Sequence, residues 1–241
     1  MISVLTPTVR PDGLNLVAKA LKEQTYQDLE WLIGSPKDIM VSLLSNKAVL
    51  VKDPPKPEGY YWTLNRAYNK MIKEARGDLI VSWQDFTYAE PDALEKFWFY
   101  YTHGQDKTLI SGVGHKYKDD TFREVVWQDP RSRLDQGTFY PCEWTDVEFN
   151  LCSVPKAAFY SVGGFDEELD RWAGMDHISV QERLLDRGGW DFYIDQTQIS
   201  YSLEHGRLPN WEENHALKGQ YMVRKAQLKK DRVWPILPYL I

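Results

Sequence analysis

Residues 2–34, ISVLTPTVRPDGLNLVAKALKEQTYQDLEWLIG, read as a strand, a helix and a second strand. Residues 2–6 are a short β-branched run, and residues 29–33 are an apolar run of the length of a buried strand. Between them, the apolar side chains of residues 14–21 recur with helical spacing, and we expect Asp12 to be the N-cap of that helix. This order of elements predicts a βαβ unit with parallel strands.

The same alternation continues through the first half of the chain. Residues 48–51 and 79–83 are further strand candidates. One apolar helix face spans residues 64–75 and stops at Gly77, and Pro91 opens another helix. The alternation predicts an α/β fold in which helices flank a mixed, mostly parallel, Rossmann-like sheet.

From about residue 105 the pattern changes. Strand candidates at 109–113, 122–127 and 149–154 have no helix between each pair, which predicts antiparallel strands added to the sheet. Further along, the pattern predicts helices at 155–161, 175–187 and 211–231 and strands at 192–194 and 199–203. Because no linker or repeat interrupts the chain, we expect residues 1–241 to form one domain.

The composition excludes several classes of protein. With 29 Lys and Arg against 35 Asp and Glu, the net charge of −6 argues against a nucleic-acid partner. Two cysteines, Cys142 and Cys152, are too few for a zinc site or a disulfide framework. We find no signal-peptide pattern and no apolar run near 20 residues, so we expect a cytoplasmic protein. Aromatic residues make up 14% of the chain, which suits stacking on sugars or on bases without choosing between them.

Two loops follow predicted parallel strands, at whose carboxyl ends open α/β sheets bind ligands. The first carries Thr6, Pro7, Thr8 and Arg10, small hydroxyls with a cation suited to phosphate. The second, after residues 79–83, places Asp85 at a strand end. A strand-end Asp is also a common turn or capping residue, so each loop alone is a weak signal.

Three stretches, taken in order, resemble family-2 glycosyltransferases. Residues 2–34 are similar to the family's S-x-x-x-P-T strand and loop, with Q-T-Y before the second strand. Residues 65–78, followed by LIVSWQDFTYAEPDALEKF at 79–97, resemble its A-R-G-D strand, acidic D-x-D region and P-D-A-L-E helix. Residues 153–189, SVPKAAFYSVGGFDEELDRWAGMDHISVQERLLDRGG, resemble its G-G-F-D-E and W-x-G-x-E-D block.

The resemblance implies a GT-A fold and the transfer of a sugar from a nucleoside diphosphate sugar to an acceptor hydroxyl, usually with inversion. Residues 1–104 would then be the nucleotide-sugar half, residues 105–210 the acceptor half, and residues 211–241 a terminal helix and tail. The leaving diphosphate needs a divalent metal, Mn²⁺ or Mg²⁺, or other cations. The acceptor, a glycan, a lipid-linked molecule or a protein, needs a carboxylate base.

The donor-side roles follow the same resemblance. Asp85 is the candidate metal and diphosphate residue, although the D-x-D motif is reduced to Gln84, Asp85 and Phe86. His205 resembles a late histidine that ligates the metal, and Arg207 would clamp the diphosphate; the alternative is an ordinary surface His and Arg. Asn65 is assigned to the nucleotide-sugar site.

The identity of the donor base is open at this point. A UDP-sugar is preferred because the family commonly uses it. The aspartate that family members place opposite uracil is absent from the end of the second predicted strand, where Asp38 or Asp53 would have to replace it.

The acceptor-side roles concern the third stretch. Asp176 aligns with the Asp of the E-D pair and is the candidate base, with a helix cap as the alternative. Trp172 would stack on the acceptor sugar or pack in the core. Asp166, with Gly163 and Gly164, is expected to be structural.

Two alternative functions are considered beside sugar transfer. A catalytically inactive sugar- or nucleotide-binding module would also explain the reduced acidic motif, whereas a nucleotidyltransferase would need a G-x-G-x-R loop that the chain lacks.

The C-terminal segment has two interpretations. The cations of residues 218–232 and the apolar tail at 233–241 suit either docking to an anionic membrane or subunit, or packing on the chain's own core.

Overall fold

The computed structural model describes residues 1–131, 137–172, 174–205, 217–229 and 234–240. Its strands are β1 (Ile2–Pro7), β2 (Leu29–Ser35), β3 (Ala48–Lys52), β4 (Leu79–Trp83), β5 (Thr87–Ala89), β6 (Thr108–Tyr117), β7 (Val125–Gln128), β8 (Phe139–Pro141), β9 (Leu151–Pro155) and β10 (Asp191–Leu203). Its α-helices are α1 (Leu14–Glu23), α2 (Leu64–Glu74), α3 (Ala93–Thr102), α4 (Lys156–Val162), α5 (Asp176–Arg187) and α6 (Leu217–Leu228).

All ten strands form one sheet, in the order β3-β2-β1-β4-β9-β6-β10-β5, with β7 on β6 and β8 on β10. Strands β3, β2, β1 and β4 are parallel, as is the long pair of β6 and β10. Strand β9 runs antiparallel between β4 and β6. The mixed α/β fold is therefore confirmed. The second half adds antiparallel pairs, as predicted, but its longest pair, β6 with β10, is parallel.

Helices cover both faces of the sheet, which explains why its central strands are buried along their length. Along β1, Val4 faces one core with Trp31 and Phe97, while Leu5 faces the other with Phe159. Successive side chains of a strand point to opposite faces, so a strand buried on both sides has no polar alternation.

Several predicted boundaries were wrong for local reasons. Asp12 lies in a 3₁₀ turn at Pro11–Gly13, and Gly13 precedes α1 instead. The strands predicted at 192–194 and 199–203 are one strand, β10, whose pairing with β6 shifts register between Ile194 and Ile199.

The short strands were also misjudged. Strand β7 begins only at Val125, after Phe122, whose φ of 53° breaks an extended conformation. Strands β5 and β8 were not predicted, because three residues carry no readable period.

The C-terminal segment packs on the core of the chain. Trp234, Leu237 and Leu240 are buried. Gly163 and Gly164 have positive φ, and a Cβ on Gly163 would overlap the Leu237 carbonyl, so these glycines allow the close approach.

Two lysines at the end of α6 and directly after it form ion pairs with acidic residues of α5. Lys225 pairs with Glu182, and Lys229 pairs with Asp186. Docking of this segment to a membrane or a subunit stays a prediction, and residues 211–216 and 230–233 lie outside the described part. Within the described residues, we find no helix with the length and apolar character to cross a membrane.

Arg224 fastens α6 to the G-G-F-D-E block. Its Nε and Nη2 donate to the two oxygens of Asp166 at 2.8 and 2.9 Å, and the Asp166 side chain is 1% exposed. Asp166 also accepts a hydrogen bond from the Glu168 backbone N–H at 3.2 Å, which agrees with its predicted structural role.

Replacing Arg224 by Ala should therefore destabilise the fold. The change removes both guanidinium hydrogen bonds from a buried carboxylate and leaves Arg183 as its nearby positive charge, and we expect the free energy of unfolding to fall by about 2–3 kcal/mol in urea titrations. Arg187→Ala, at an exposed position on α5, is the matched control and should change it by less than about 0.5 kcal/mol. Equal stability of the two variants would contradict the proposed role of Arg224.

Candidate active site

Strands β1 and β4 are adjacent and parallel, so their carboxyl ends lie at the same edge of the sheet. Thr8 follows β1 and Asp85 follows β4. The Thr8 hydroxyl donates to Asp85 Oδ2 at 2.7 Å, and both side chains are buried. The two loops that the sequence indicated are therefore in direct contact.

Arg10 joins this pair to the end of β10. Its Nη2 donates to Asp85 Oδ1 at 3.0 Å, and its Nη1 lies 2.6 Å from His205 Nδ1. The Arg10 backbone N–H donates to Thr8 Oγ1 at 2.8 Å. We call Thr8, Arg10, Asp85 and His205 the donor-side cluster.

The backbone conformation of Phe86 positions the side chains of the donor-side cluster. Phe86 has a φ of 56°, an unusual value for an aromatic residue. Its ring covers Gly13, where a Cβ would overlap it, and lies 5.3 Å from the His205 ring and 5.4 Å from the Arg10 guanidinium. Its carbonyl accepts from the Leu203 N–H at 2.9 Å. Because β5 also pairs with β10, this loop holds His205 beside Asp85.

Asp176, the predicted base, is the first residue of α5. Its Oδ2 lies 3.6 Å from His177 Nδ1, and His177 Nε2 lies 3.7 Å from Glu148 Oε2. Burial acts to raise the pKa of Asp176, but interaction with His177 and with backbone N–H groups outweighs burial and leaves this pKa below its usual range. Burial acts to lower the pKa of His177, yet Asp176 and Glu148 raise it. Each of the two groups therefore favours the charged form of the other.

Replacing His177 by Gln should raise the pKa of Asp176, since burial would then act without the opposing charge. An NMR titration of the Asp176 carboxyl would show the midpoint at higher pH than in the unmodified protein. His103→Gln, at the exposed histidine that directly follows α3, is the control and should leave the midpoint unchanged. An unchanged midpoint in His177→Gln would exclude His177 as the source of the shift.

Tyr68 of α2 links the two acidic positions. Its hydroxyl is within 2.9 Å of Ser82 Oγ on β4. Burial raises the pKa of Tyr68, and the charges of Asp176 and Asp85 raise it further. Both carboxylates therefore lie within electrostatic reach of one hydroxyl near the end of β4.

Two predicted donor-site residues, Thr6 and Asn65, have side chains that form hydrogen bonds with other parts of the protein. Thr6 is buried, and its hydroxyl accepts from Trp31 Nε1 at 2.9 Å, so its side chain lies in the core and not beside Thr8. Asn65 is also buried, and its backbone N–H and Nδ2 both donate to Asp170 Oδ1 at 2.8 Å. These two side chains support the walls of the site.

The remaining predicted residues are less constrained. Gln84 is exposed next to Asp85, and Pro7 and Trp172 are half-buried. Trp172 directly follows the 3₁₀ helix Glu167–Arg171, and its role as a sugar platform stays a prediction. Arg207 lies outside the described residues.

Asp170 is a residue that sequence reasoning missed. Besides binding Asn65, its carboxylate accepts from the Arg66 N–H at 3.3 Å, and its carbonyl accepts from the N–H groups of Tyr61 and Trp62. Burial raises the pKa of Asp170 to about 7. No sequence pattern pairs Asp170 with a helix start 105 residues away.

Asp53 and Asp38, the two candidates for recognising the nucleotide base, differ in their burial. It follows β3 at the ligand edge, and its Oδ2 accepts from Thr63 Oγ1 at 3.1 Å. Its Oδ1 is buried and receives no hydrogen bond from the described residues. Burial raises the pKa of Asp53 to about 6. Asp38, by contrast, is 95% exposed and pairs with Lys52.

The two predicted metal ligands are close together, but as arranged they do not fit a resident divalent metal. Asp85 Oδ1 and His205 Nδ1 are both engaged by Arg10. Among the residues that the structure describes, no group of three or more His, Cys, Asp or Glu side chains is placed to hold a metal ion. Mg²⁺ and Mn²⁺ prefer about six ligands, mostly oxygen, and this cluster offers two.

Comparisons with known proteins give matches to solved structures, but not to family models or curated sequences. No protein-family model and no curated protein matches the chain. Among solved structures, the chain is similar to a crystal structure of TarS residues 1–349 from S. aureus in complex with UDP, with a TM-score of 0.63 and 12% identity over 84% of this chain and 60% of that chain. A second TarS 1–349 structure gives a TM-score of 0.60 at the same identity and coverage.

The chain thus spans about 60% of the length of the TarS fragment. At 12% identity the likeness shows the fold alone, and it confirms the predicted α/β fold with a mixed, mostly parallel sheet flanked by helices.

Proposed function

We propose that the chain is an inverting glycosyltransferase that moves a sugar from a nucleoside diphosphate sugar, preferably a UDP-sugar, to an acceptor hydroxyl. The observation that carries the proposal is the donor-side cluster at the carboxyl ends of β1 and β4, with Asp176 close enough for its charge, like that of Asp85, to act on Tyr68. The fold, and the UDP complex of a protein with that fold, support the donor class.

In the proposed reaction, Asp176 accepts the proton of the acceptor hydroxyl while that oxygen attacks the anomeric carbon. The bond between the anomeric carbon and the diphosphate oxygen breaks, and its electron pair stays on the diphosphate. The products are the glycosylated acceptor and a nucleoside diphosphate, with the proton on Asp176. Attack from the face opposite the leaving group inverts the anomeric centre.

The preference for uracil is supported by Asp53. Its Oδ1 is a buried acceptor without a donor, at the end of β3, and uracil offers an N3–H donor. Trp62 Nε1, in the loop before α2, is a buried donor that also lacks a partner among the described residues. A site with both an unpaired acceptor and an unpaired donor suits a base with N–H and C=O groups.

A second candidate is an inactive nucleotide- or sugar-binding module. It is favoured by the engagement of both Asp85 oxygens within the protein and by the reduced acidic motif, Gln84, Asp85 and Phe86. Acceptor binding through Trp172 would be common to both candidates, and the acceptor would be a glycan, a lipid-linked molecule or a protein.

A panel of UDP-, GDP- and ADP-sugars, incubated with the protein in Mn²⁺ and in EDTA, separates the two candidates. An enzyme should release free nucleoside diphosphate from a UDP-sugar by slow transfer to water. A binding module should bind the same donor in isothermal titration and release none.

A further inference from the structure

Arg10 occupies the position between the two residues that would hold a metal. One guanidinium nitrogen donates to Asp85 Oδ1 at 3.0 Å, and the other lies 2.6 Å from His205 Nδ1. Asp85 is 7% exposed and Arg10 is 30% exposed, so the ion pair is mostly buried with one side open to solvent.

The position of Arg10 is fixed by its neighbours. Its backbone N–H is bonded to Thr8, whose hydroxyl is bonded to the other oxygen of Asp85. The Phe86 ring lies 5.4 Å from the guanidinium, a cation–π distance, and the left-handed backbone of Phe86 places the ring there. The loop after β1, which carries Arg10, thus meets the loops after β4 and β10 at one guanidinium.

The charges also balance without a metal. Asp85 carries one negative charge, which the guanidinium neutralises. A guanidinium only donates hydrogen bonds, so His205 Nδ1 is the acceptor in its contact with Arg10. A divalent ion placed between Asp85 and His205 would face the guanidinium at contact distance and be repelled by it.

We propose that the Arg10 guanidinium takes the place of the divalent metal, so that nucleotide binding by this chain is independent of metal ions. The inference rests on the proposed function, because it assigns the group that receives the donor diphosphate. A planar guanidinium binds phosphate oxygens through paired N–H groups, and its permanent charge stabilises the electron pair that the diphosphate takes when the anomeric C–O bond breaks.

The test measures UDP affinity by isothermal titration in EDTA and in Mn²⁺, for the unmodified protein, Arg10→Ala and the control Arg187→Ala. The unmodified protein and the control should bind UDP with less than 2-fold difference between the two media. Arg10→Ala should bind at least 10-fold more weakly in EDTA. Mn²⁺ should then recover at least 5-fold, because the guanidinium that contacts Asp85 and His205 and repels a divalent ion is gone.

Arg10→Lys provides a second variant that keeps the charge if Arg10→Ala fails to fold. A lysine cannot reach both Asp85 and His205 as a fork, so it should weaken UDP binding in EDTA by several-fold without metal recovery. Circular dichroism melting curves establish that each variant is folded.

Two results would overturn the inference while leaving the proposed function intact. One is a loss of 10-fold or more in the UDP affinity of the unmodified protein when Mn²⁺ is replaced by EDTA. The other is unchanged UDP affinity in Arg10→Ala. Failure of the unmodified protein to bind UDP in either medium would instead contradict the proposed function itself.

Discussion

Asp176→Asn should lower the rate of sugar transfer by about 10³-fold and leave UDP affinity within about 2-fold. The amide cannot accept the proton of the acceptor hydroxyl, but it keeps the size of the side chain at the start of α5. The measurement is transfer rate at saturating donor, with UDP affinity from titration of the same preparation.

The pH profile adds an independent readout. Because His177 holds the pKa of Asp176 below its usual range, Asp176 stays ionised at neutral pH, and the acid limb of the profile should lie at lower pH than that of an ordinary aspartate. Asp191→Asn, at an exposed aspartate, is the control and should retain full activity. More than about a tenth of the original rate in Asp176→Asn would place the base elsewhere.

The contact between Thr8 and Asp85 could be predicted from the sequence. Alternating strands and helices imply parallel neighbours, and the carboxyl ends of parallel neighbours share an edge. The family motifs added Asp176 and His205, which no periodicity would have singled out.

The engagement of Arg10 with both Asp85 and His205 could not be predicted in this way. It depends on the left-handed backbone of Phe86, and such a conformation leaves no pattern in the sequence. It also depends on β5, a three-residue strand that brings the end of β10 to the donor edge. The contact of the Thr6 hydroxyl with Trp31 could not be predicted either, because no sequence pattern pairs these two residues across β1 and β2.

Asp170 should make the stability of the fold depend on pH near neutrality. Its carboxyl group is fully buried, and burial raises its pKa from 3.8 to about 7. The native state therefore binds a proton more tightly than the unfolded chain does. The stabilisation is complete below about pH 4 and is lost as the pH rises through about 7, on the order of 2–3 kcal/mol between pH 5 and pH 8.

Asp170→Asn separates this contribution from those of all other titrating groups. The amide oxygen can still accept from the Asn65 backbone N–H, but it does not ionise. The unmodified protein should lose unfolding free energy relative to the variant as the pH rises from 5 to 8, measured by urea unfolding at each pH. Parallel curves for the two proteins would show that Asp170 is ionised throughout, with its hydrogen bonds from Asn65 and Arg66 strong enough to offset burial.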